Sequence, residues 1–276
     1  MKVTCVVDNA VQRSSPFWGE HGLTFLIEAE GCRVLFDTGQ SGTVLLHNLE
    51  MLNVNLTTID ALAISHDHYD HTGGLPGLLD QVRTGIPLYA NLDLFRERYS
   101  RREGELQKIS ALQSGKDLTA RLALELSQTP QEIIPNLWTT GEIVERLEPE
   151  GRSAHHFIRE GDVLVPDPYK DDLALVLEVG EGLLLLCGCC HAGLLNTLAH
   201  VQRTFGEPIV GIAGGLHLTG VSDDELQHVV DVLSSMPVLK RVYPNHCTGE
   251  VAFVTLTQRL GAQVIRPCPA GTVLEI

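Results

Sequence analysis

Short apolar runs rich in Val, Ile and Leu recur along the chain and alternate with segments of helical periodicity, a pattern typical of layered α/β structure. The apolar runs predict strands at 2–8, 23–28, 32–37, 60–65, 173–179, 183–188, 208–213, 239–243 and 272–276. The periodic segments predict helices near 42–52, 74–82, 193–204, 223–235 and 249–261. The SDDE segment at 222–225 predicts a helix start, because Ser222 can cap and Glu225 can reach back.

The middle of the chain, about 92–170, interrupts this alternation. It holds a charged stretch at 95–105, then a helical run to about 127, then a polar segment of weak periodicity. Arginines and glutamates interleave in the charged stretch, which predicts a helix surface with salt bridges. A substrate phosphate is the alternative partner for one of its arginines, which are Arg96, Arg98, Arg101 and Arg102. We interpret the segment as an insertion over one face of a single domain spanning residues 1–276.

Composition and charge narrow the function classes. The chain has 276 residues, of which 43% are hydrophobic, and this is enough to bury a full core. A formal net charge of −15 argues against a mainly electrostatic nucleic-acid or membrane partner. No apolar run nears the roughly 18 residues of a membrane span, and no basic leader precedes one. We therefore expect a cytoplasmic protein with a small-molecule substrate, whose seven cysteines are reduced thiols; its oligomeric state stays open.

The sequence SHDHYDHTGG at 65–74 concentrates metal-type ligands in a few positions. His66 and His68 have an i,i+2 spacing, which lets an extended turn aim both imidazoles one way. Asp70 and His71 follow as the chain turns toward a helix. This arrangement can serve two adjacent metals, and zinc favours such nitrogen and carboxylate ligands.

Four apolar strands deliver a histidine at their carboxyl ends, a rigid support for ligands. They are ALAIS before His66, LLLLCGCCH ending at His191, IVGIAGGLH ending at His217, and VYPNHC, which contains His246. A lone histidine at such a place is more often a core or surface residue than a ligand. The combination with H-x-H-x-D-H favours metal binding.

Other candidate ligands have simpler interpretations. Asp67 is predicted to be a solvated or turn residue, and His155 and His156 to lie in a solvent-facing loop. For His21 a place near the cleft and an ordinary loop position stay equally open. The cysteines of C-G-C-C at 187–190 have the wrong spacing for a zinc knuckle, so we expect small buried residues there. Cys190 and Cys247, each beside a proposed ligand, are expected close to the metals.

The H-x-H-x-D-H pattern with later single histidines resembles the metallo-β-lactamase fold superfamily of metallohydrolases. Within it, the chain is similar to a subgroup called 7,8-dihydropterin-6-methyl-4-(β-D-ribofuranosyl)aminobenzene-5'-phosphate synthase-like. The segments that carry this similarity are EHGLTFLIE (20–28), LFDTGQSG (35–42), SHDHYDHTGGL (65–75), DD-x-ALV (171–176), GCCHAG (188–193), GGLHL (214–218) and PNHCTG (244–249). The resemblance implies a four-layer αββα sandwich with metals at one edge.

The resemblance also implies site residues by position. The implied ligands of a first metal are His66, His68 and His191, and those of a second are Asp70, His71 and His246. Many members place a bridging aspartate between the last two histidine positions. Here His217 occupies roughly that place, either as a ligand or as a residue that hydrogen-bonds substrate. Asp37, in LFDTG, is expected to orient a ligand histidine, the alternative being a turn aspartate.

The function implied is a metal-dependent hydrolase that uses a metal-bound hydroxide on a small anionic substrate, with a phosphoester ahead of a lactone, thioester or amide. Asp70 would orient the water and His217 would donate to developing negative charge. One or two Zn²⁺ ions are expected, with Mn²⁺ or Fe²⁺ as alternatives. The alternatives are a dihydropterin-type synthase and a non-catalytic metal-binding protein. A di-iron redox protein is disfavoured, because such relatives carry a carboxylate where His68 stands.

Overall fold

The computed structural model describes residues 1–112 and 120–275. The strands are β1 Lys2–Val7, β2 Thr24–Ala29, β3 Cys32–Phe36, β4 Ala61–Ala63, β5 Ile86–Ala90, β6 Arg98–Arg102, β7 Glu105–Lys108, β8 Leu122–Leu126, β9 Glu132–Ile134, β10 Leu137–Thr139, β11 His156–Glu160, β12 Val163–Pro166, β13 Ala174–Val179, β14 Gly182–Cys187, β15 Ile209–Gly215 and β16 Arg241–Asn245. The helices are α1 Gly42–Met51, α2 Tyr69–Thr72, α3 Leu75–Leu79, α4 Leu194–Phe205, α5 Asp223–Ser234 and α6 Glu250–Leu260, with short 3₁₀ turns at Leu56–Thr58 and His246–Thr248.

Two six-stranded sheets pack on a shared apolar layer. Their strand orders are β1-β2-β3-β4-β5-β8 and β16-β15-β14-β13-β10-β9. Side chains from both sheets, such as Phe25 and Leu186, form the central cluster between them. The outer face of the first sheet is covered by α1 and α3, and that of the second by α4, α5 and α6. This is the predicted αββα sandwich, which the structure confirms.

Strand pairing explains why the central runs are almost wholly apolar. In the second sheet β14 and β15 pair in parallel, as do β15 and β16. In the first sheet β3, β4, β5 and β8 form a parallel series. Parallel strands are covered on both faces, so both sets of alternating side chains must be buried. Their carboxyl ends also share one edge of each sheet, and this places the loops that follow them side by side.

Two predicted helices differ in the structure. The predicted helix at 74–82 is shorter in the structure, where α3 spans Leu75–Leu79. The short helix α2 precedes it, and the two are separate because Pro76 has no N–H to continue a helix from Thr72. The helical run predicted to about 127 is wrong in its described parts. Residues of this run form β7 and β8, and β8 pairs in parallel with β5, so that tertiary pairing decides the local structure. Residues 113–119 of the run lie outside the described residues.

The segment 92–170, predicted as an insertion over one face, contributes strands to all three sheets. β8 belongs to the first sheet, and β9 and β10 to the second. A third, four-stranded sheet of order β12-β11-β6-β7 lies wholly within it. The predicted last strand, 272–276, is described to residue 275 and forms an isolated bridge between Thr4 and Val273. Across the described ranges, no helix is both long and apolar enough to cross a membrane.

Arg98 was predicted on a helix surface, and this is wrong. It lies on β6 and is fully buried. Its guanidinium nitrogens lie 3.2 Å from Asp93 Oδ2, 3.2 Å from Asp167 Oδ2 and 2.6 Å from Asp171 Oδ1. Three carboxylates offset the cost of burying this cation, and the cation offsets the cost of burying them. The cluster fastens the third sheet to the loop that precedes β13.

We expect Arg98→Met to destabilise the fold by about 3–5 kcal/mol, because it leaves buried carboxylates without their counter-charge. Arg101→Met is the matched control, since Arg101 is exposed on the same strand, and we expect it to change stability by no more than about 0.5 kcal/mol. Urea unfolding at pH 7 measures both. Equal losses in the two variants would contradict the role given to Arg98.

Candidate metal centre

The carboxyl ends of parallel strands from the two main sheets meet at one edge of the sandwich. His66 follows β4, His191 follows β14 and His246 follows β16. The ring centroids of His66 and His191 are 4.7 Å apart, and those of His71 and His246 are 5.0 Å apart. Side chains from distant parts of the sequence therefore form one cluster.

The three predicted ligands of the first set, His66, His68 and His191, lie next to one another. Their ring centroids are 4.5, 4.7 and 4.9 Å apart. The Nδ1 atoms of His66 and His191 are each 2.9 Å from an oxygen, Ser65 Oγ and Gly151 O respectively. The Nε2 atom of each of the three histidines is buried and has no hydrogen-bond partner among the residues that the structure describes.

These buried nitrogens fit a metal ion. A buried polar atom without a partner is rare in a folded protein, and a cation would satisfy all three. Burial lowers the pKa of His66, His68 and His191 well below the ordinary value, which keeps them neutral. Neutral imidazole is the form that binds metals.

The second predicted set, Asp70, His71 and His246, is also brought together. Asp70 Oδ2 is 3.3 Å from His246 Nε2 and 3.7 Å from His71 Nε2, and the two imidazole nitrogens are 3.2 Å apart. Two nitrogens and a carboxylate oxygen thus converge on one point, which suits a second cation. His21, whose place the sequence left open, joins this set with Nε2 3.2 Å from Asp70 Oδ2.

Asp37 lies where an orienting carboxylate is expected. Its Oδ2 is 2.7 Å from His71 Nδ1, and the carboxylate accepts hydrogen bonds from both the backbone N–H and the hydroxyl of Ser65. The side chain is fully buried. One carboxylate therefore fixes the His71 ring and the residue before His66 at the same time.

Cys189 is the functional candidate that the sequence reasoning missed. Its Sγ is 3.2 Å from His71 Nε2, and it can share a cation with His66 and His191, the three ligand atoms lying within 4.8 Å of one another. Cys190, which was expected near the metals, packs instead into the apolar layer beneath α4 to α6. The available signal was the i,i+2 spacing of Cys189 and His191, the same as that of His66 and His68.

His217 and Cys247 lie beside Cys189, with their ligand atoms within 4.8 Å of one another and of its sulfur. Burial acts to lower the pKa of His217, but Cys247 together with the charges of Asp172 and Asp70 outweighs it and raises the pKa. Burial acts to raise the pKa of Cys247, yet hydrogen bonds with Cys189 and His217 hold it well below its ordinary value. Each of the two side chains therefore favours the charged form of the other. The ring of His217 is 4.4 Å from that of His191.

Asp67 was predicted to be a solvated or turn residue, and this is wrong. The side chain is fully buried, and its Oδ1 accepts hydrogen bonds from the N–H groups of Ala111 and Leu112 and from the Thr72 hydroxyl. Its own N–H donates to Asp171 Oδ2 at 2.9 Å. Burial raises the pKa of Asp67 to about 6. The residue between His66 and His68 thus anchors the ligand loop from within the protein.

Backbone strain is concentrated around the cluster. Five non-glycine residues near it adopt the left-handed region, with φ of 61° at Asp37, 58° at Cys190, and 48° at Tyr169, His217 and His246. Such conformations cost of order 1–3 kcal/mol each and persist only where the surroundings enforce them. The fold therefore holds these side chains in place against a local preference of the chain.

An αββα sandwich that gathers imidazoles and carboxylates at one edge has the architecture of a metal-dependent hydrolase. The sequence profile described as the Metallo-beta-lactamase superfamily matches residues 18–189. The chain belongs to this superfamily, which confirms the resemblance noted from its motifs.

Individual relatives extend the match over nearly the whole chain. The chain is 29% identical over 261 residues to the 7,8-dihydropterin-6-methyl-4-(beta-D-ribofuranosyl)-aminobenzene-5'-phosphate synthase of Methanocaldococcus jannaschii. This match covers 90% of this chain and 88% of that protein. It is 30% identical over 258 residues to an uncharacterized protein of the same organism, at 93% and 94% coverage. The crystal structure of Tm1679, a metal-dependent hydrolase of the beta-lactamase superfamily, matches with a TM-score of 0.85 and 28% identity, covering 100% of this chain and 99% of that one.

The proton on His71 should report metal binding. Burial acts to lower its pKa, but the carboxylates of Asp37 and Asp70 outweigh it and raise the pKa to about 9. In the metal-free protein His71 is then protonated at pH 7, and a cation that binds its Nε2 must displace a proton. We expect affinity to rise with pH, by up to about tenfold per unit, until about pH 9, and to level off above it.

Calorimetric titration with Zn²⁺ in two buffers of different ionisation enthalpy counts the protons released at pH 7. Asp37→Asn is the comparison, because it removes one of the two charges that hold the proton on His71. We expect the variant to release fewer protons than the unmodified protein. The same proton count in both would contradict the assignment of His71.

Proposed function

We propose that this chain is a metal-dependent hydrolase acting on a small anionic substrate, with a phosphoester ahead of a lactone, thioester or amide. The observation that carries the proposal is the pair of adjacent ligand sets. Three buried Nε2 atoms, of His66, His68 and His191, lack a partner among the described residues. Beside them stand the converging atoms of Asp70, His71 and His246. Membership of the superfamily and the likeness to a metal-dependent hydrolase support hydrolysis.

The two sets would hold one or two divalent ions. Zinc is the first candidate and manganese and iron are alternatives, since histidine and carboxylate accept all three. When bound, such an ion would lower the pKa of a coordinated water to about 7 and polarise a carbonyl or phosphoryl oxygen. Cys189 adds a soft sulfur ligand to this set, which favours zinc over manganese.

The chain's own residues supply orientation and proton handling. The Asp70 carboxylate, 3.3 Å from His246 Nε2, is placed to accept a hydrogen bond from the attacking water. His217, whose ring centroid is 4.4 Å from that of His191, is placed to donate to negative charge that develops on the substrate. Asp37 keeps His71 in one orientation. The sequence contains no G-x-S-x-G elbow, so we assign no side chain as the nucleophile.

A second candidate is a synthase. One observation favours it, the 29% identity over 90% of this chain to a relative named as a synthase of a phosphate-bearing dihydropterin compound. The same polar cluster would then orient two substrates for condensation instead of a water for attack. Both candidates share a small substrate that carries a negative charge.

We expect His68→Ala and His246→Ala each to lower the metal content of protein purified without oxygen and to reduce turnover to about the background rate. His228→Ala is the matched control, because His228 is exposed on α5 and bonded to Glu148. Elemental analysis and an ester-hydrolysis assay measure both effects. Full metal occupancy in both ligand variants would overturn the proposed ligand sets.

A substrate screen separates the two candidate reactions. We expect the metal-loaded protein to hydrolyse at least one member of a panel of phosphoesters, lactones and thioesters, and His246→Ala to hydrolyse none. Turnover of a pterin precursor without hydrolysis of any ester would replace the hydrolase by the synthase. Liquid chromatography with mass detection follows both outcomes in the same samples.

A further inference from the structure

The third sheet has one face toward the protein and one toward solvent, and strand register assigns its side chains to them. In the antiparallel pair of β6 and β11, His156 faces Ser100 and Ile158 faces Arg98. Residues paired across two strands point to the same side of the sheet, as do alternate residues along one strand. Arg98, Ser100 and Ile158 are all buried. The face that they share is therefore the inner one, and His156 belongs to it.

Arg102 also belongs to the inner face, because it is the next alternate residue of β6 after Ser100. Its neighbour Arg101 points the other way, with its guanidinium carbon 4.8 Å from the ring centroid of Phe157 on the outer face. Arg101 and Arg102 are both exposed, and their side chains project to opposite faces of the third sheet.

His156, which was predicted in a solvent-facing loop, lies over the candidate metal centre. Its ring centroid is 5.2 Å from that of His68, with the two rings perpendicular. Its Nδ1 is 2.7 Å from the hydroxyl oxygen of Tyr169. Tyr169 is fully buried and stacks on the ring of His191 at 4.2 Å. His156 is therefore held between the third sheet and the first ligand set.

The hydrogen bonds of the Tyr169 hydroxyl bear on which ring nitrogen of His156 carries a proton and can donate it to a ligand. The hydroxyl oxygen of Tyr169 accepts a hydrogen bond from the backbone N–H of Ser153. Its own hydrogen can then be donated to Nδ1 of His156, 2.7 Å away. With Nδ1 accepting, Nε2 carries the proton. This N–H makes no hydrogen bond to the part of the chain that the structure describes, so it can donate to a bound oxygen.

Arg102 lies at the end of β6, on the same inner face as His156. It is exposed and, within residues 1–112 and 120–275, has no carboxylate within 4.0 Å, whereas Arg98 on the same strand has three. Burial, together with the charges of His217 and Arg102, lowers the pKa of His156 to about 4. The charge of Arg102 also acts on Tyr69, which adjoins Asp70. Arg102 therefore lies near both His156 and Tyr69.

We propose that Arg102 and His156 form a subsite that binds a phosphate group of the substrate beside the metal centre, an inference that rests on the proposed function for the identity of that substrate. The planar guanidinium of Arg102 offers paired donors that match phosphate oxygens. His156 Nε2 adds a third, fixed donor on the inner side. Tyr169 is a positioning residue, since it acts on the ligand through His156.

The chain offers two matched pairs of variants for testing the subsite. Arg102→Ala removes the proposed contact, and Arg101→Ala removes an adjacent exposed arginine from the outer face. His156→Ala and His155→Ala form the second pair, because His155 is exposed and precedes His156. Titration calorimetry of the metal-loaded full chain with inorganic phosphate is the direct measurement. We expect Arg102→Ala and His156→Ala each to weaken phosphate binding by about tenfold or more, and the two controls to leave it unchanged.

Phosphate binding that is equal in Arg102→Ala and Arg101→Ala, at equal metal content, would overturn the subsite. Phosphate contacts with the metal itself are common to all four variants, so they cannot create the expected difference. Arg102→Lys keeps the charge and loses the planar fork. We expect it to bind phosphate less tightly than the unmodified protein and more tightly than Arg102→Ala.

Kinetics separate the failure of the subsite from the failure of the proposed function. With 4-nitrophenyl phosphate we expect Arg102→Ala to raise KM by about tenfold, and with the neutral ester 4-nitrophenyl acetate to leave KM unchanged. An equal rise with both esters would overturn the subsite. If the unmodified protein hydrolyses neither ester nor any other tested, the hydrolase proposal fails, and the phosphate titration alone still decides the role of Arg102 and His156.

Discussion

The two halves of the metal centre stand on different sheets, and one close contact sets the distance between them. A Cβ on Gly188, just after β14, would overlap the Ser65 side chain just after β4, so only glycine lets the two edges approach this far. The backbone N–H and the hydroxyl of Ser65 both donate hydrogen bonds to Asp37, whose carboxylate also contacts Nδ1 of His71. The spacing of the ligands follows from this approach, because Ser65 and Gly188 directly precede the segments that carry them. The central apolar layer keeps the edges together over their whole length.

Much of this arrangement could be predicted from the sequence, since its main features repeat locally. A strand covered on both faces is apolar at nearly every position. The apolar runs before His66, His191 and His217 therefore predict both a strand and the residue where it ends. Parallel strands place their carboxyl ends on one edge. A histidine at each end therefore predicts a cluster without any knowledge of pairing order. The helix cap at Ser222 could also be predicted, and its hydroxyl oxygen accepts a hydrogen bond from the Glu225 N–H as expected.

The features that the sequence did not reveal depend on partners far along the chain. Nothing near Asp67 indicates that Ala111 and Leu112 will bond to its carboxylate, so it was taken for a turn residue. Two of the three aspartates around Arg98, Asp167 and Asp171, lie far along the chain, so its sequence neighbours suggest a surface charge. The local sequence of β7 and β8 predicts a helix, because it carries no information on the pairing of these strands with β6 and β5. Cys189 was overlooked because a sulfur beside two other cysteines suggested small buried residues.

A single strand, β6, carries Arg98 and Arg102 on the same side, the first locked into the protein and the second open at its edge. Through Asp171 and the N–H of Asp67, the locked arginine reaches the loop that bears His66 and His68. Replacing this sheet in the chain would thus not be a modular exchange. A new sheet would also have to bring a cation for Asp171, or the loop that bears His66 and His68 would lose the contact that holds its shape.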